Sequence, residues 1–262
     1  GEFILDLSNG RTYSEIEPLR KTFLHWLGDR DGYIYAPLLS QFDEEMLGYD
    51  LMTGTYTYGD NAAKVHLTLS GYVQQAALEA MGNYKGTVAV YNYKTGQIIC
   101  SVTTPCYDPD NIPANLEEDP AYKDAYYNKF MQFTYTPGSI FKVVTLAAAI
   151  EELEQLQALE FQCTGSYLMG VDTVTCTGVH GKQNIQTAFR NSCNCAFAQL
   201  SEELGAEAMA KYVEQFGVAQ SVSVDGLTTA KGNYEADRSP VNLAWSAIGQ
   251  YKDQMNPCSY LR

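Results

Sequence analysis

Pro137-Gly138-Ser139-Ile140-Phe141-Lys142 constrains this chain more than any other segment. A Pro-Gly break precedes an apolar run with helical spacing, so a helix is expected to start there. Residues i and i+3 of a helix share a face, which lets Lys142 reach back to the Ser139 oxygen. A serine hydroxyl becomes a useful nucleophile when a neighbouring base takes its proton, and an amine serves only when neutral. Against a reference lysine pKa of roughly 10.4, holding the amine neutral at pH 7 costs about 4–5 kcal/mol, which burial and nearby cations usually supply. A helix start also directs backbone N–H groups toward an oxyanion formed at Ser139.

S-x-x-K alone is a weak signal, since a chain of this length holds roughly one by chance. Here it occurs once, at a helix start, and Ser192-Cys193-Asn194 is the one S-x-N of the chain. That triplet interrupts a helical pattern between Ile185-Gln186-Thr187-Ala188-Phe189 and Cys195-Ala196-Phe197-Ala198-Gln199-Leu200. A serine and an asparagine on such a turn suit proton relay and hydrogen bonding to a substrate amide.

Together these segments resemble the serine transpeptidases that bind penicillin. Leu67-Thr68-Leu69-Ser70 with Val73-Gln74-Gln75-Ala76-Ala77 is similar to the opening strand and first helix of the class B penicillin-binding proteins. Gly86 to Val90, Thr95-Gly96-Gln97-Ile98 and Tyr107-Asp108-Pro109 resemble that family's first hairpin and its exit. Cys163, Cys176, His180-Gly181 and Ala247-Ile248-Gly249-Gln250 also sit where the family carries similar residues. The resemblance covers roughly residues 62–262 and leans toward the monofunctional spore-cortex and septal enzymes.

The resemblance implies an α/β transpeptidase fold, an antiparallel sheet packed between helices, over residues 62–262. Residues 1–61 would be the end of a small non-catalytic pedestal. The implied reaction is acyl transfer from a D-Ala-D-Ala stem peptide of peptidoglycan. Ser139 is the implied nucleophile, Lys142 the base, Ser192 the proton relay and Asn194 the holder of the substrate amide. β-Lactams would acylate Ser139 as substrate mimics, and division or elongation proteins would be partners. No cofactor or metal is implied. The family's K-T-G motif is expected several dozen residues beyond Gln250, whereas this sequence ends at Arg262, so a half-built site lacking three of five sheet strands is expected. Lys94-Thr95-Gly96 is read as a hairpin turn instead. A β-lactamase or β-lactam sensor domain, and a non-catalytic cell-wall scaffold, stand as alternatives.

A formal charge of −14 argues against a nucleic-acid partner and against unaided binding to anionic lipid. No apolar run approaches the roughly 20 residues of a membrane helix. Gly1-Glu2-Phe3 resembles a cloning remnant. The resemblance implies a setting at the outer face of a bacterial membrane, with an N-terminal anchor absent from this sequence.

The seven cysteines leave at least one unpaired and form no C-x-x-C. Cys163 and Cys176 bracket a loop-like stretch that a disulfide would close, stabilising by about 3 kcal/mol in the chain-entropy model. With His180 they would alternatively form part of a zinc site, for which the sequence offers no obvious fourth ligand. Cys193 reads as a redox-sensitive thiol or a small buried residue. Helices are expected over Glu15–Leu27, Gly71–Met81, Ser139–Leu156, Asn184–Gly205 with a break at the S-x-N turn, Ala206–Phe216 and Val241–Ile248. Strands are expected over Val65–Leu69, Gly86–Tyr93 and Gln97–Thr103, and Tyr107 to Tyr135 as a long loop with one short helix near Tyr122. His25 and His66 are read as structural.

Overall fold

The computed structural model describes residues 3–7, 10–42, 46, 49–56, 64–235 and 237–261. They divide into two compact units, one built mainly from the residues up to Phe133 and a second from Thr134–Val222 and Ala230–Tyr260. The 61/62 boundary read from the sequence lies outside the described residues.

In the first unit the expected helix Glu15–Leu27 is two short ones, Glu17–Thr22 (α1) and Leu24–Leu27 (α2), separated at Phe23. Helix Gly71–Met81 (α3) starts where Ser70 caps the backbone N–H of Val73. Strands Gly86–Tyr91 (β1) and Ile98–Thr104 (β2) pair antiparallel around the Lys94-Thr95-Gly96 turn, as the sequence indicates. Met81, Cys100 and Val102 close the apolar seam between α3 and β2. Gln74, fully buried on α3, donates to the Thr22 carbonyl at 3.1 Å and accepts from the Ser101 N–H at 2.7 Å. One side chain thereby ties helix, hairpin and α1 together.

Val65–Leu69 does not form the expected strand. The segment is largely exposed and meets β2 only through Thr68 Oγ1 on the Ile98 carbonyl and the Ser70 N–H on the Ile99 carbonyl. Two isolated bonds make no ladder. The long loop after the hairpin carries a second helix, Lys129–Gln132 (α4), beyond the one near Tyr122. That loop is anchored by the Arg20 guanidinium, which donates to both Asp108 oxygens at 2.7 and 2.6 Å. Buried Asp29 accepts from Tyr107 Oη at 2.7 Å and from the N–H groups of Gly32, Tyr33 and Ile34. His25 is buried with Nε2 against the Ala125 carbonyl, the structural role read for it.

The second unit opens with a single 3₁₀ turn, Gly138–Phe141, that runs directly into helix Lys142–Glu152 (α5). The expected helix to Leu156 stops at Leu153, whose backbone is extended. The stretch read as loop-like after Cys163 is instead structured. Phe161–Cys163 (β3) is followed by a hairpin of Ser166–Met169 (β4) and Asp172–Thr175 (β5), and Gly181–Gln183 (β6) returns to pair with β3. These strands are short and mostly polar, with only Met169 and Val174 of the hairpin buried, which hides the period-2 pattern.

Helix Ile185–Arg190 (α6) and helix Asn194–Gln215 (α7) flank the S-x-N turn, and α7 breaks at Gly205, as the sequence indicates. Pro240–Ala247 (α8) closes the arrangement. Phe141, Val144, Ala148, Met209, Val213, Leu243 and Ala247 form one apolar cluster between α5, α7 and α8. A second cluster joins Ala149, Phe161, Cys163, Val174, Phe197 and Ala244. Gly249 lies against the start of the 3₁₀ turn. Its φ is 72°, and a Cβ there would meet the Gly138 carbonyl and Phe141. Only glycine fits this place.

Candidate active site

The 3₁₀ turn settles the relation between the two key side chains, because residues i and i+3 eclipse in that geometry. Ser139 lies exposed at the helix start, and Lys142, one turn on, is 1% exposed. The Lys142 Nζ stands 3.2 Å from Ser139 Oγ. It donates to the Ser192 carbonyl at 2.8 Å and to Asn194 Oδ1 at 2.7 Å, with Ser192 Oγ at 3.0 Å. The ring of Phe197 lies 5.7 Å from the same nitrogen. The four residues singled out in the sequence therefore converge on one atom.

Each position has a local cause. The Cys193 N–H bonds back to the Ala188 carbonyl, ending α6, while Cys193 caps α7 through its sulfur and the Ala196 N–H. Between them Ser192 takes φ 50°, a left-handed conformation that is uncommon and costly outside glycine. That twist points both its carbonyl and its hydroxyl at Lys142. The Asn194 amide nitrogen donates to the Thr175 carbonyl at 2.9 Å, which fixes the amide so that its oxygen faces the amine.

Burial lowers the Lys142 pKa below the ordinary lysine value, opposed by negative charge on the nearby Cys176 and Cys193 sulfurs. Desolvation penalises the ammonium and favours the neutral amine.

Next to this cluster the fold gathers a second one that the sequence reading did not complete. Cys163, Cys176, His180 and Cys193 place one ligand atom each within 4.8 Å of one another. The disulfide expected as one alternative is not formed, and Cys163 and Cys176 are both thiols. Burial pushes the Cys176 thiol up, but the N–H groups of Cys195, Gly178 and Asn194 outweigh it and bring it down to about 6. Burial pushes Cys193 up to about 12. The family resemblance implied no metal, and the sequence offered no obvious fourth ligand beside Cys163, Cys176 and His180; the fold brings Cys193 to that place.

A serine on a tight helix start, its i+3 lysine and a Ser-x-Asn turn on a neighbouring helix define the serine–lysine class of penicillin-recognising folds. The chain belongs to the penicillin-binding protein transpeptidase domain family, whose model matches residues 86–262. It is 30% identical over 247 residues to the peptidoglycan D,D-transpeptidase PbpA of Mycobacterium tuberculosis, covering 84% of this chain and 49% of that protein. It is 32% identical over 209 residues to stage V sporulation protein D of Bacillus subtilis, covering 74% of this chain and 31% of that one. The chain thus spans half or less of the length of these relatives. Its fold matches penicillin-binding protein A of M. tuberculosis, solved as a ceftriaxone acyl-enzyme complex, with a TM-score of 0.76 at 24% identity over 95% of this chain and 62% of that one. The expected α/β transpeptidase fold is borne out.

Proposed function

We propose that the parent protein is a peptidoglycan D,D-transpeptidase that works through an acyl ester on Ser139. The observation that carries this is the environment of the Lys142 Nζ. A neutral amine has two N–H groups and one lone pair. The Ser192 carbonyl and Asn194 Oδ1 take the two N–H groups, which leaves the lone pair for the Ser139 hydroxyl.

The Ser139 proton passes to that lone pair as Oγ bonds to the carbonyl carbon of the penultimate D-Ala. Charge develops on the carbonyl oxygen, near the N–H groups of the helix start. Collapse breaks the C–N bond, and the terminal D-Ala leaves after its nitrogen takes a proton. Ser192 Oγ, 3.0 Å from the amine, is placed to relay that proton from Lys142. An incoming amine from a second stem peptide then repeats the sequence in reverse, transferring the acyl group and restoring Ser139. Asn194 serves as the substrate-amide contact and as the clamp on Lys142. A β-lactam enters the same path but keeps its amine tethered.

The same reading gives the parent protein an N-terminal anchor, a site of work on the outer face of the membrane, and neighbours in the division or elongation machinery. The likeness to PbpA supports the transpeptidase part of this reading. Among the described residues no helix is long and apolar enough to cross a membrane. Labelling with a fluorescent penicillin, compared with Ser139→Ala, tests the assignment. Stable label on the parent chain and none on the variant is expected. Rapid turnover of nitrocefin would indicate a β-lactamase instead, and absence of label a non-catalytic scaffold.

A further inference from the structure

We propose that Tyr260 is a positioning residue for the Ser139 nucleophile, its hydroxyl locking the two-residue link between Ser139 and Lys142. The observation is a single contact at a decisive place: Tyr260 Oη donates to the Ile140 carbonyl at 3.1 Å. Ile140 and Phe141 are the residues that separate the nucleophile from the base. Phe141 is fully buried and anchored in the apolar cluster between α5, α7 and α8. Ile140 is half exposed, so the interior does not hold its side of the link. Tyr260 holds it from outside. The inference rests on the acyl-transfer reading of Ser139 and Lys142, which it deepens.

The Gly138–Phe141 turn has no capping side chain of its own. Stretches of 3₁₀ geometry are short and their hydrogen bonds poorly aligned, so such a turn takes its place from its surroundings. Here one segment, Gly249 to Tyr260, supplies them. The Gly138 N–H donates to the Gly249 carbonyl at 2.7 Å, and Tyr135 and Met255 exchange two backbone bonds of 2.9 Å. Gln254 Nε2 donates to Thr136 Oγ1 at 2.9 Å. These contacts grip the chain on the N-terminal side of Ser139. Tyr260 reaches the other side, at Ile140, so Ser139 is held from both directions.

Tyr260 is itself well fixed. It lies on a short helix, Pro257–Leu261 (α9), preceded by the fully buried Asn256. Asn256 Oδ1 accepts from the N–H groups of Cys258 and Ser259 at 3.0 and 3.3 Å. Ser259 Oγ donates to the Gln220 carbonyl at 3.1 Å, which ties α9 to the segment after α7. Burial raises the Tyr260 pKa above the ordinary 10, so the hydroxyl stays protonated and donating at neutral pH. Rotation of the Ile140–Phe141 peptide would change the 3.2 Å separation of Lys142 Nζ and Ser139 Oγ. Proton transfer demands hydrogen-bond distance, and misplacement at the reacting atoms costs rate. Loss of the Tyr260 hydroxyl is therefore read in the acylation step and not in affinity.

The test uses the parent protein and a fluorescent penicillin at rising concentration, which separates the limiting acylation rate from the concentration giving half of it. Tyr260→Phe should lower the limiting rate by about three- to tenfold, the effect of one neutral hydrogen bond expressed in the barrier, with half-saturation unchanged. Ser259→Ala removes a comparable bond from the same helix without touching the turn. Its acylation rate should stay at the parent value while its urea midpoint falls as that of Tyr260→Phe does. A Tyr260→Phe rate less than about threefold below the parent, a change confined to half-saturation, or equal rate losses in the two variants would overturn the proposal. Absence of label on the parent protein, or label surviving Ser139→Ala, would instead overturn the reading of Ser139 on which it rests.

Discussion

Replacing Lys142 with methionine separates reactivity from stability, because the side chain is buried and its length is kept. The substitution removes the amine 3.2 Å from Ser139 Oγ, so acylation by a fluorescent penicillin should fall by the 10²–10⁴ that a general base contributes, roughly 3–5 kcal/mol of barrier. Stability should respond differently. The Ser192 carbonyl and Asn194 Oδ1 lose donors at 2.8 and 2.7 Å, at a cost of about 1–3 kcal/mol each where no water replaces them. Against that stands relief of the amine whose pKa burial lowers. The two effects oppose each other, so urea unfolding should shift by less than the roughly 2–6 kcal/mol that the two lost hydrogen bonds alone would cost. Single-turnover labelling and urea melts on the same preparation give both numbers. A folded Lys142→Met chain that acylates within tenfold of the parent would refute the assignment of the base.

Three further outcomes follow from particular contacts. Gly249→Ala should destabilise by more than about 2 kcal/mol in urea melts, since its Cβ would strike the Gly138 carbonyl at a positive φ; an unchanged midpoint would show that the loop yields. Asp253 is fully buried with one oxygen unpartnered, and burial raises its pKa from the ordinary 3.8 to about 8. The folded state therefore holds the proton that the unfolded chain releases, so stability should fall as pH rises from about 4 to about 8, by at most about 1.4 kcal/mol per unit. Asp253→Asn should flatten that slope, and parallel profiles for the two chains would exclude this group as its source. Asn194→Ala should slow acylation by at least tenfold, because Lys142 loses its 2.7 Å partner and the Thr175 carbonyl its donor; a rate equal to the parent would remove Asn194 from the site.

The site was legible in the sequence where chemistry follows short spacing. Ser139 and Lys142 are three residues apart, so any helical start brings them together, and Ser192 and Asn194 flank a visible break between two helical patterns. The β1–β2 hairpin and the Gly205 break were readable for the same local reason. The grouping of Cys163, Cys176, His180 and Cys193 was not, because Cys193 joins the other three only after β3 pairs with β6 and the turn before α7 folds against them. The β4–β5 hairpin escaped because its short strands bury one residue each. Val65–Leu69 shows the opposite error: its alternation is real, but no neighbouring strand supplies a ladder.

Peptide mapping of the parent protein after reaction with penicillin is the most direct measurement of the central claim. A single penicilloyl adduct on Ser139, absent from Ser139→Ala, is the result expected. An adduct on any other residue, or one that persists in Ser139→Ala, would contradict it.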